Sequence, residues 1–188
     1  MTDAGAMRLD LFANPDFDRG PSRLTEAAWL VLSGLLVSSW LPGSAWRRTL
    51  LRAFGAEIGM GVVIKPGVRV KFPWRLTIGD HVWIGEDVWI DNLAPVTIGA
   101  QSCISQGSYL CTGSHDWSDP RFALITRPIV IEGECWVGAR ACLAPGTAME
   151  QGAVLTMGAV GRGRLGKWSV HGTDPGGAAR NRMERSAG

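Results

Sequence analysis

Several features that mark large protein classes are missing from this sequence. Its 188 residues include one tyrosine, three histidines and four cysteines, and no two cysteines form a C-x-x-C pair. With no such pair and no secretory leader, we interpret the thiols as reduced and the protein as cytoplasmic. No apolar run reaches the roughly 18 residues of a membrane span. The net charge of +2 gives no reason to expect a nucleic acid partner.

Glycine, in contrast, is abundant at 25 residues, and an aliphatic residue recurs at every sixth position. Two-residue shifts and one long interruption separate the blocks of this repeat. All of its fourteen positions are aliphatic: Ile58, Ile64, Val70, Ile78, Ile84, Ile90, Ile98, Ile104, Leu110, Ile131, Val137, Leu143, Met149 and Leu155. The fifth residue of each hexad is small or β-branched, with Trp74 as the exception.

This period predicts a mainly β fold. Six residues supply one short strand and one corner, and three such sides close a triangular coil of about 18 residues. The aliphatic residue fills the interior, and each coil buries its faces only on its neighbours. We therefore expect a parallel β-helix of hexapeptide repeats over residues 56–160.

The segments around the repeat have other predicted roles. Residues 1–55 form a polar segment followed by helices, with Ser22 as a candidate N-cap. Within them, residues 27–52 either cover the open end of the β-helix or contact a membrane surface peripherally. Residues 115–128 interrupt the repeat as a protruding loop, where function is often found. Residues 161–188 read as a C-terminal loop and tail.

His115 is the strongest candidate for chemistry, because it stands where the repeat gives way to the loop. A histidine there can act as a general base, although a structural histidine with satisfied hydrogen bonds is the alternative. A metal site would need three converging ligands. His81 could approach His115, but no third ligand is evident, so we expect no metal.

Polar residues near this junction are candidates for binding an acceptor. Asp91 and Asn92 end a coil side, and Asp116 and Trp117 follow the histidine. A further polar group, Asn14, Asp16 and Asp18, precedes the helices. Turn formation is the alternative for the Asn and Asp residues, because their side chains readily bond nearby backbone.

The hexads, together with "WIDNLAPVTIG" and "TGSHDWSDPRFALITRPIVI", resemble the hexapeptide-repeat acyltransferases. The likeness runs from about residue 22 to about residue 180. It is strongest to the colanic acid biosynthesis acetyltransferases and extends to the galactoside and maltose acetyltransferases. The resemblance implies a left-handed parallel β-helix, a homotrimer with active sites between subunits, and acetyl-CoA as the acyl donor. It also implies that His115 is the catalytic base.

The same resemblance assigns cofactor contacts to residues in and after "CWVGARACLAPG". Trp136 would pack on the pantetheine arm, the backbone at Ala139 and Met157 would bond its amides, and Arg162 and Arg180 would lie near the phosphates. Two departures stand out: "GRGRLGKWSVHGTDP" replaces the usual proline-rich segment, and Met157 is larger than the common residue.

The sequence thus predicts an O-acetyltransferase that moves an acetyl group to a sugar or glycoside hydroxyl in exopolysaccharide biosynthesis. The acceptor could be free or lipid-linked, and the enzyme could work at the inner face of the membrane. An N-acyltransferase for an amino sugar or antibiotic shares every feature above. A metal-dependent hydratase and a non-enzymatic scaffold on the same fold are the more distant alternatives.

Overall fold

The chain folds into a three-sided parallel β-solenoid that follows a pair of helices. The computed structural model describes residues 7–172 and 180–183. Helix α1 spans Arg23–Leu32 and continues as a π-helical turn over Ser33–Val37, and α2 spans Ala45–Ala53. Short 3-10 turns occupy Leu9–Leu11 and Pro73–Arg75. The strands are β1 Glu57–Ile58, β2 Val63–Ile64, β3 Arg69–Val70, β4 Leu76–Ile78, β5 Trp83–Ile84, β6 Trp89–Asp91, β7 Val96–Ile98, β8 Cys103–Ile104, β9 Tyr109–Cys111, β10 Gly113–His115, β11 Leu124–Thr126, β12 Ile129–Ile131, β13 Trp136–Val137, β14 Cys142–Leu143, β15 Ala148–Met149, β16 Val154–Leu155, β17 Val160–Gly161, β18 Arg164–Leu165, β19 Ser169–His171 and β20 Arg180–Asn181.

Three parallel sheets form the sides of the solenoid. Side A stacks β1, β4, β7, β12, β15 and β18; side B stacks β2, β5, β8, β13, β16 and β19; side C stacks β3, β6, β9, β14 and β17. At the end of side B, β20 pairs antiparallel with β19. We name each corner by the two sides that it joins, so that the C/A corner leads from side C to side A of the next coil.

The predicted repeat is confirmed by burial. All fourteen aliphatic positions are buried, and the most accessible of them, Ile58, is 8% exposed. They stack in register along the sides, for example Ile58 on Ile78 and Ile78 on Ile98. Trp74, the exception at the fifth position, lies in the corner turn Pro73–Arg75, where its indole N–H donates to the carbonyl of Arg19 at 3.1 Å.

The solenoid continues beyond residue 160, where the sequence predicted it to end. Leu165 pairs with Met149 on side A, and His171 pairs with Leu155 on side B. The sequence placed the end too early for two reasons. Gly161 occupies a position that is aliphatic in the preceding coils, and the spacing from Gly161 to Leu165 is two residues shorter than the regular spacing of six. The predicted tail is therefore strand-forming through His171, and its residues 173–179 and 184–188 lie outside the described part of the chain.

The long interruption is a β-hairpin rather than an irregular loop. Strands β10 and β11 pair antiparallel, with His115 opposite Leu124 and Gly113 opposite Thr126. The hairpin begins two residues before the predicted loop boundary and projects from the C/A corner between the third and fourth coils. It places His115 outside the solenoid, on a paired strand.

The helices cover the first coil, which agrees with one of the two roles predicted for residues 27–52. Trp29, Val37 and Leu51 are buried against the solenoid core, and the Trp29 indole donates to the Val70 carbonyl at 3.0 Å. Ser22 caps α1 by accepting from the Thr25 amide at 3.2 Å, which confirms the predicted N-cap. Within the described residues, no helix has the length and apolar character needed to cross a membrane.

Candidate active site

His115 is half-buried on the hairpin and is oriented by Phe122 on the same arm. Its Nδ1 lies 2.8 Å from the Phe122 carbonyl oxygen, and the two rings stack with centroids 4.2 Å apart and an interplanar angle of 3°. A carbonyl oxygen can only accept, so Nδ1 carries the proton and Nε2 keeps its lone pair. A neutral imidazole in this tautomer is suited to take a proton through Nε2.

Phe122 reaches this position through an uncommon backbone conformation. Its φ is +52°, in the left-handed region that a bulky residue rarely adopts. The Phe122 amide donates to the Asp119 carbonyl at 2.8 Å, which closes the hairpin turn. Such local strain persists only where surrounding contacts support it, and it is common at functional sites. Here it directs a ring and a carbonyl group onto the same histidine.

The N-terminal segment packs on this arm. The Phe12 ring lies 5.5 Å from the His115 ring, and the Arg8 amide donates to the Pro120 carbonyl at 2.7 Å. Between segment and hairpin lies a cavity of about 340 Å³. Its lining includes Asn14 and Asp16, two members of the polar group noted in the sequence, and Leu124 from the strand opposite His115.

Asp91 lies at the end of side C, one coil before the hairpin, in a charged network of its own protomer. Its carboxylate is 3.3 Å from Lys71 Nζ and accepts from the Tyr109 hydroxyl at 3.0 Å. Burial, together with hydrogen bonds involving Cys111 and Asp91, raises the pKa of Tyr109 far above its ordinary value. The Tyr109 hydroxyl therefore stays protonated and serves as a fixed donor to Asp91.

Asn92 does not present its amide to an acceptor, contrary to its predicted binding role. The side chain is fully buried. Its Oδ1 accepts from the Phe72 amide at 2.9 Å, and its Nδ2 donates to the Phe72 carbonyl at 2.6 Å. Both polar atoms are thus used to join two successive coils at the C/A corner, and they bond the preceding coil and not the nearby backbone that the turn-forming alternative assumed.

Asp116 and Trp117 follow His115 in the hairpin turn but face different surroundings. The Asp116 carboxylate accepts from the Ser118 amide at 2.9 Å and from its hydroxyl at 2.5 Å. These bonds hold the pKa of Asp116 below its usual value. Trp117 is 71% exposed, so its indole is free to contact another molecule.

The predicted cofactor residues lie mainly at the B/C corner. Trp136 is half-exposed on side B, and its indole donates to the Ser105 hydroxyl at 2.9 Å. Ala139 and Met157 occupy equivalent points of successive coils, and the Gly158 amide bonds the Ala139 carbonyl at 2.9 Å. In the described part of the chain, no backbone carbonyl accepts from the amides of Ala139 and Met157. Neither amide is therefore used in the backbone hydrogen bonds between the described coils.

The two predicted arginines do not converge within one protomer. Arg180 lies on β20, on the same side as Trp136, whereas Arg162 follows β17 at the C/A corner. His115 is also at the C/A corner. One solenoid side of six residues separates that corner from Ala139, which corresponds to roughly 20 Å of extended chain. A single protomer therefore holds the proposed base and the proposed cofactor surface on different corners.

Two contributors to the site escaped the sequence reasoning. The carbonyl group of Phe122 and the ring of Phe12 contact His115, yet a lone phenylalanine in a loop carries no signal that it meets a particular histidine. Among residues 7–172 and 180–183, no group of three His, Cys, Asp or Glu side chains is arranged to hold a metal ion. His81, the suggested second ligand, lies at the A/B corner.

Comparisons with known proteins show the class to which a chain with this fold belongs. The model of one family, described as the hexapeptide repeat of succinyl-transferase, matches residues 128–160. The hexapeptide-repeat-containing acetyltransferase VCA0836 from Vibrio cholerae superposes with a TM-score of 0.73 at 26% identity, over 85% of this chain and 91% of that one. A structure of VCA0836 complexed with acetyl-CoA gives a TM-score of 0.71 at 23% identity and 84% of each chain. The class is that of the hexapeptide-repeat acetyltransferases.

A curated relative narrows this class. The Escherichia coli K12 protein named "Putative colanic acid biosynthesis acetyltransferase WcaF" is 42% identical over 149 residues, which are 78% of this chain and 81% of the relative. The chain therefore belongs to the WcaF family of colanic acid biosynthesis acetyltransferases, and it is an acetyltransferase.

Proposed function

We propose that this protein transfers an acetyl group from acetyl-CoA to a hydroxyl group of a sugar or glycoside during exopolysaccharide assembly. The observation that carries this proposal is the 2.8 Å contact between His115 Nδ1 and the Phe122 carbonyl oxygen on a projecting arm. Because this carbonyl oxygen accepts from Nδ1, the neutral imidazole has its lone pair on Nε2. The similarity of this chain to WcaF supports an exopolysaccharide as the molecule that receives the acetyl group.

In the proposed reaction, His115 acts as a general base in a ternary complex. Nε2 takes the proton of the acceptor hydroxyl as that oxygen bonds to the thioester carbonyl carbon. The carbon–sulfur bond then breaks, and the histidine returns the proton to the departing thiolate. General-base catalysis of this kind contributes about 10²–10⁴-fold. Backbone N–H groups of the solenoid would stabilise the oxyanion.

The residues at the B/C corner fit the acyl donor. The half-exposed Trp136 offers an aromatic surface for the pantetheine arm, and the amides of Ala139 and Met157 have free donor capacity. Arg162 and Arg180 are exposed cations suited to phosphates. Acetyl-CoA supplies the activated acetyl group, and we expect no metal to take part.

The separation of these residues supports a homotrimer with active sites between subunits. The arm at the C/A corner of one protomer would meet the B/C corner of its neighbour, which brings His115 to the thioester. A heterologous contact that closes on itself forms such a ring. On this proposal, an isolated protomer would bind neither substrate productively.

The acceptor would enter beside the hairpin. The cavity of about 340 Å³ contains Asn14 and Asp16, which can accept or donate hydrogen bonds to sugar hydroxyls. Trp117 can provide a stacking surface for the sugar ring. The other two carboxylates predicted for this role already have partners: Asp91 contacts Lys71 and Tyr109, and Asp116 accepts from Ser118. A cytoplasmic enzyme working at the inner face of the membrane could receive a free or a lipid-linked acceptor.

The test measures thiol release from acetyl-CoA with a panel of sugars, glycosides and amino sugars. We expect release with a hydroxyl acceptor and a loss of at least about 100-fold in kcat for His115→Gln. His81→Gln is the matched control, because His81 is an exposed histidine at another corner. Full activity of His115→Gln would disprove the assignment of the base, and release only with amino sugars would replace O-acetylation by N-acetylation.

A further inference from the structure

The helices that cover the first coil turn an apolar face to solvent. We call this the N-terminal apolar face and define it by six exposed residues on α1, the π-helical turn and the loop that follows: Leu24, Leu30, Val31, Leu35, Trp40 and Leu41. Leu24 is 83% exposed, Trp40 79% and Leu35 68%. Leu24, Val31 and Leu35 recur at helical spacing, so they form one stripe. A contiguous apolar patch of this kind marks a contact surface.

The loop that carries Trp40 and Leu41 is held in place by the buried side chain of Arg47. The fully buried Arg47 guanidinium donates to the carbonyls of Val37, Gly43 and Ser39 at 2.9, 2.6 and 2.6 Å, and to that of Leu41 at 2.8 Å. Burial of a cation is costly unless its donors are satisfied, and these carbonyls satisfy it. The outward position of Trp40 is thus fixed by a buried network.

Charge is distributed unevenly between this end of the molecule and the rest. Residues 19–71 contain eight Lys or Arg and two Asp or Glu, a formal charge of +6, whereas the remaining residues carry −4. No charged residue occurs between Glu26 and Arg47. Arg23, Arg48, Arg52 and Arg69 form no ion pair within the described residues. Arg47 is buried, and Lys65 and Lys71 pair with Glu86 and Asp91 of the next coil, so these four arginines are what makes the end that carries the apolar face cationic.

Beside the face, a groove of about 650 Å³ combines both properties. Its lining combines the apolar Trp29, Leu30, Val70 and Phe72 with Arg19, Arg23, Glu26 and Lys71. Arg19 pairs with Glu26 and Lys71 pairs with Asp91, so Arg23 is the lining cation that forms no ion pair within the described residues. The apolar surface suits a hydrocarbon chain, and Arg23 suits an anionic headgroup. This pairing of apolar surface with flanking cations is typical of helices that lie in a membrane interface.

We propose that the N-terminal apolar face docks the enzyme on an anionic lipid bilayer, with α1 lying parallel to the surface. Leu24, Leu35 and Trp40 enter the boundary between headgroups and acyl chains, and Arg23 contacts lipid phosphates. A second copy of the same face is a poor partner, because two cationic ends repel each other, whereas each basic residue near an anionic membrane is attracted to it. The inference does not depend on which acceptor is acetylated.

Vesicle sedimentation tests this proposal without turnover. Wild-type protein should co-sediment with vesicles of equal parts phosphatidylglycerol and phosphatidylcholine, bind pure phosphatidylcholine more weakly, and lose affinity as salt rises. The double variant Leu35→Ser/Trp40→Ser should lose at least about tenfold in affinity, and Arg23→Gln should lose about fivefold on anionic vesicles alone.

Met183→Ser is the matched control, since Met183 is 72% exposed near the opposite end of the solenoid and should leave vesicle binding unchanged. Circular dichroism establishes that each variant is folded, and sedimentation velocity reports its assembly size. Wild-type protein that ignores anionic vesicles would overturn the proposal, as would equal binding by the double variant. A smaller assembly in the double variant would identify the face as a subunit contact instead, which also overturns it.

Discussion

The sides of the solenoid follow the hexapeptide repeat in every coil, whereas its C/A corner departs from the repeat. Along the sides, each coil repeats its predecessor, with one buried aliphatic residue on the next in register. At the C/A corner, successive coils differ: the turn Pro73–Arg75, then the buried Asn92, then the hairpin with His115, and later the exposed Arg162. The difference shows where variation is tolerated. Sides must stack on both neighbours, whereas this corner takes a different form in successive coils.

The two regions also depend on different interactions. The sides are stabilised by burial and a regular ladder of backbone hydrogen bonds, which no single side chain controls. The corner depends on particular side chains that satisfy particular backbone groups, such as Asn92 on Phe72 and Phe122 on His115. Substitutions in the sides should therefore change stability, and those on the hairpin should change activity.

The largest expected effect comes from the interior. Ile104 is fully buried on side B between β5 and β13. Ile104→Ala should lower the free energy of unfolding by about 2–5 kcal/mol, because it removes buried methyl groups and leaves a cavity between coils. Chemical denaturation monitored by circular dichroism measures this loss. Val130→Ala, on the outer face of side A, is the control and should cost far less. Equal losses would show that the interior is not the main source of stability.

A loss of about 1–3 kcal/mol is expected for Asn92→Ala at the corner. The substitution leaves the Phe72 amide without a partner in a buried position, which costs about 1–3 kcal/mol, whereas the Phe72 carbonyl keeps its bond from the Arg75 amide at 3.0 Å. Thermal denaturation and the KM for acceptor are measured together. An unchanged melting temperature with a raised KM would restore the acceptor-binding role that the sequence suggested.

The fold could be predicted from the sequence because its signal is repeated. Fourteen positions show the same spacing of aliphatic residues, so a single exception does not obscure the repeat. The prediction failed at the last coils, where Gly161 and the short side before Leu165 break the period although the backbone still stacks. Backbone pairing persists there because it depends on chain direction and not on which side chain fills the interior.

The site was only partly predictable for the opposite reason. His115 could be found because it stands at a discontinuity in a regular pattern. The orienting carbonyl of Phe122 and the contact with Phe12 arise from tertiary packing, and nothing in their local sequence specifies it. For the same reason, sequence alone could not decide whether Asn92 faced an acceptor or the backbone of the previous coil.

A smaller effect, on activity and not on stability, is expected for Phe122. Phe122→Ala removes the ring stacked on His115 but keeps its carbonyl, so the imidazole becomes more mobile. We expect kcat to fall about tenfold, equivalent to about 1.4 kcal/mol, and steady-state kinetics measure the change. Phe122→Tyr keeps the ring and should retain activity. A comparable fall in Phe122→Tyr would show that stacking does not position the histidine.

The smallest effect on activity is expected for a substitution of Asp116, which lies in the turn of the hairpin. Its carboxylate accepts two bonds from Ser118, and these hold its pKa below the usual value. A group with a depressed pKa stabilises the folded turn above its unfolded pKa, near 3.9, and loses that contribution as pH falls through the folded value. The turn should therefore be intact throughout the neutral range, and Asp116→Asn should change kcat/KM less than about threefold. Steady-state kinetics at neutral pH measure the change. A loss as large as that of His115→Gln would mean that this carboxylate contacts the acceptor, as the sequence predicted, and does more than close the turn.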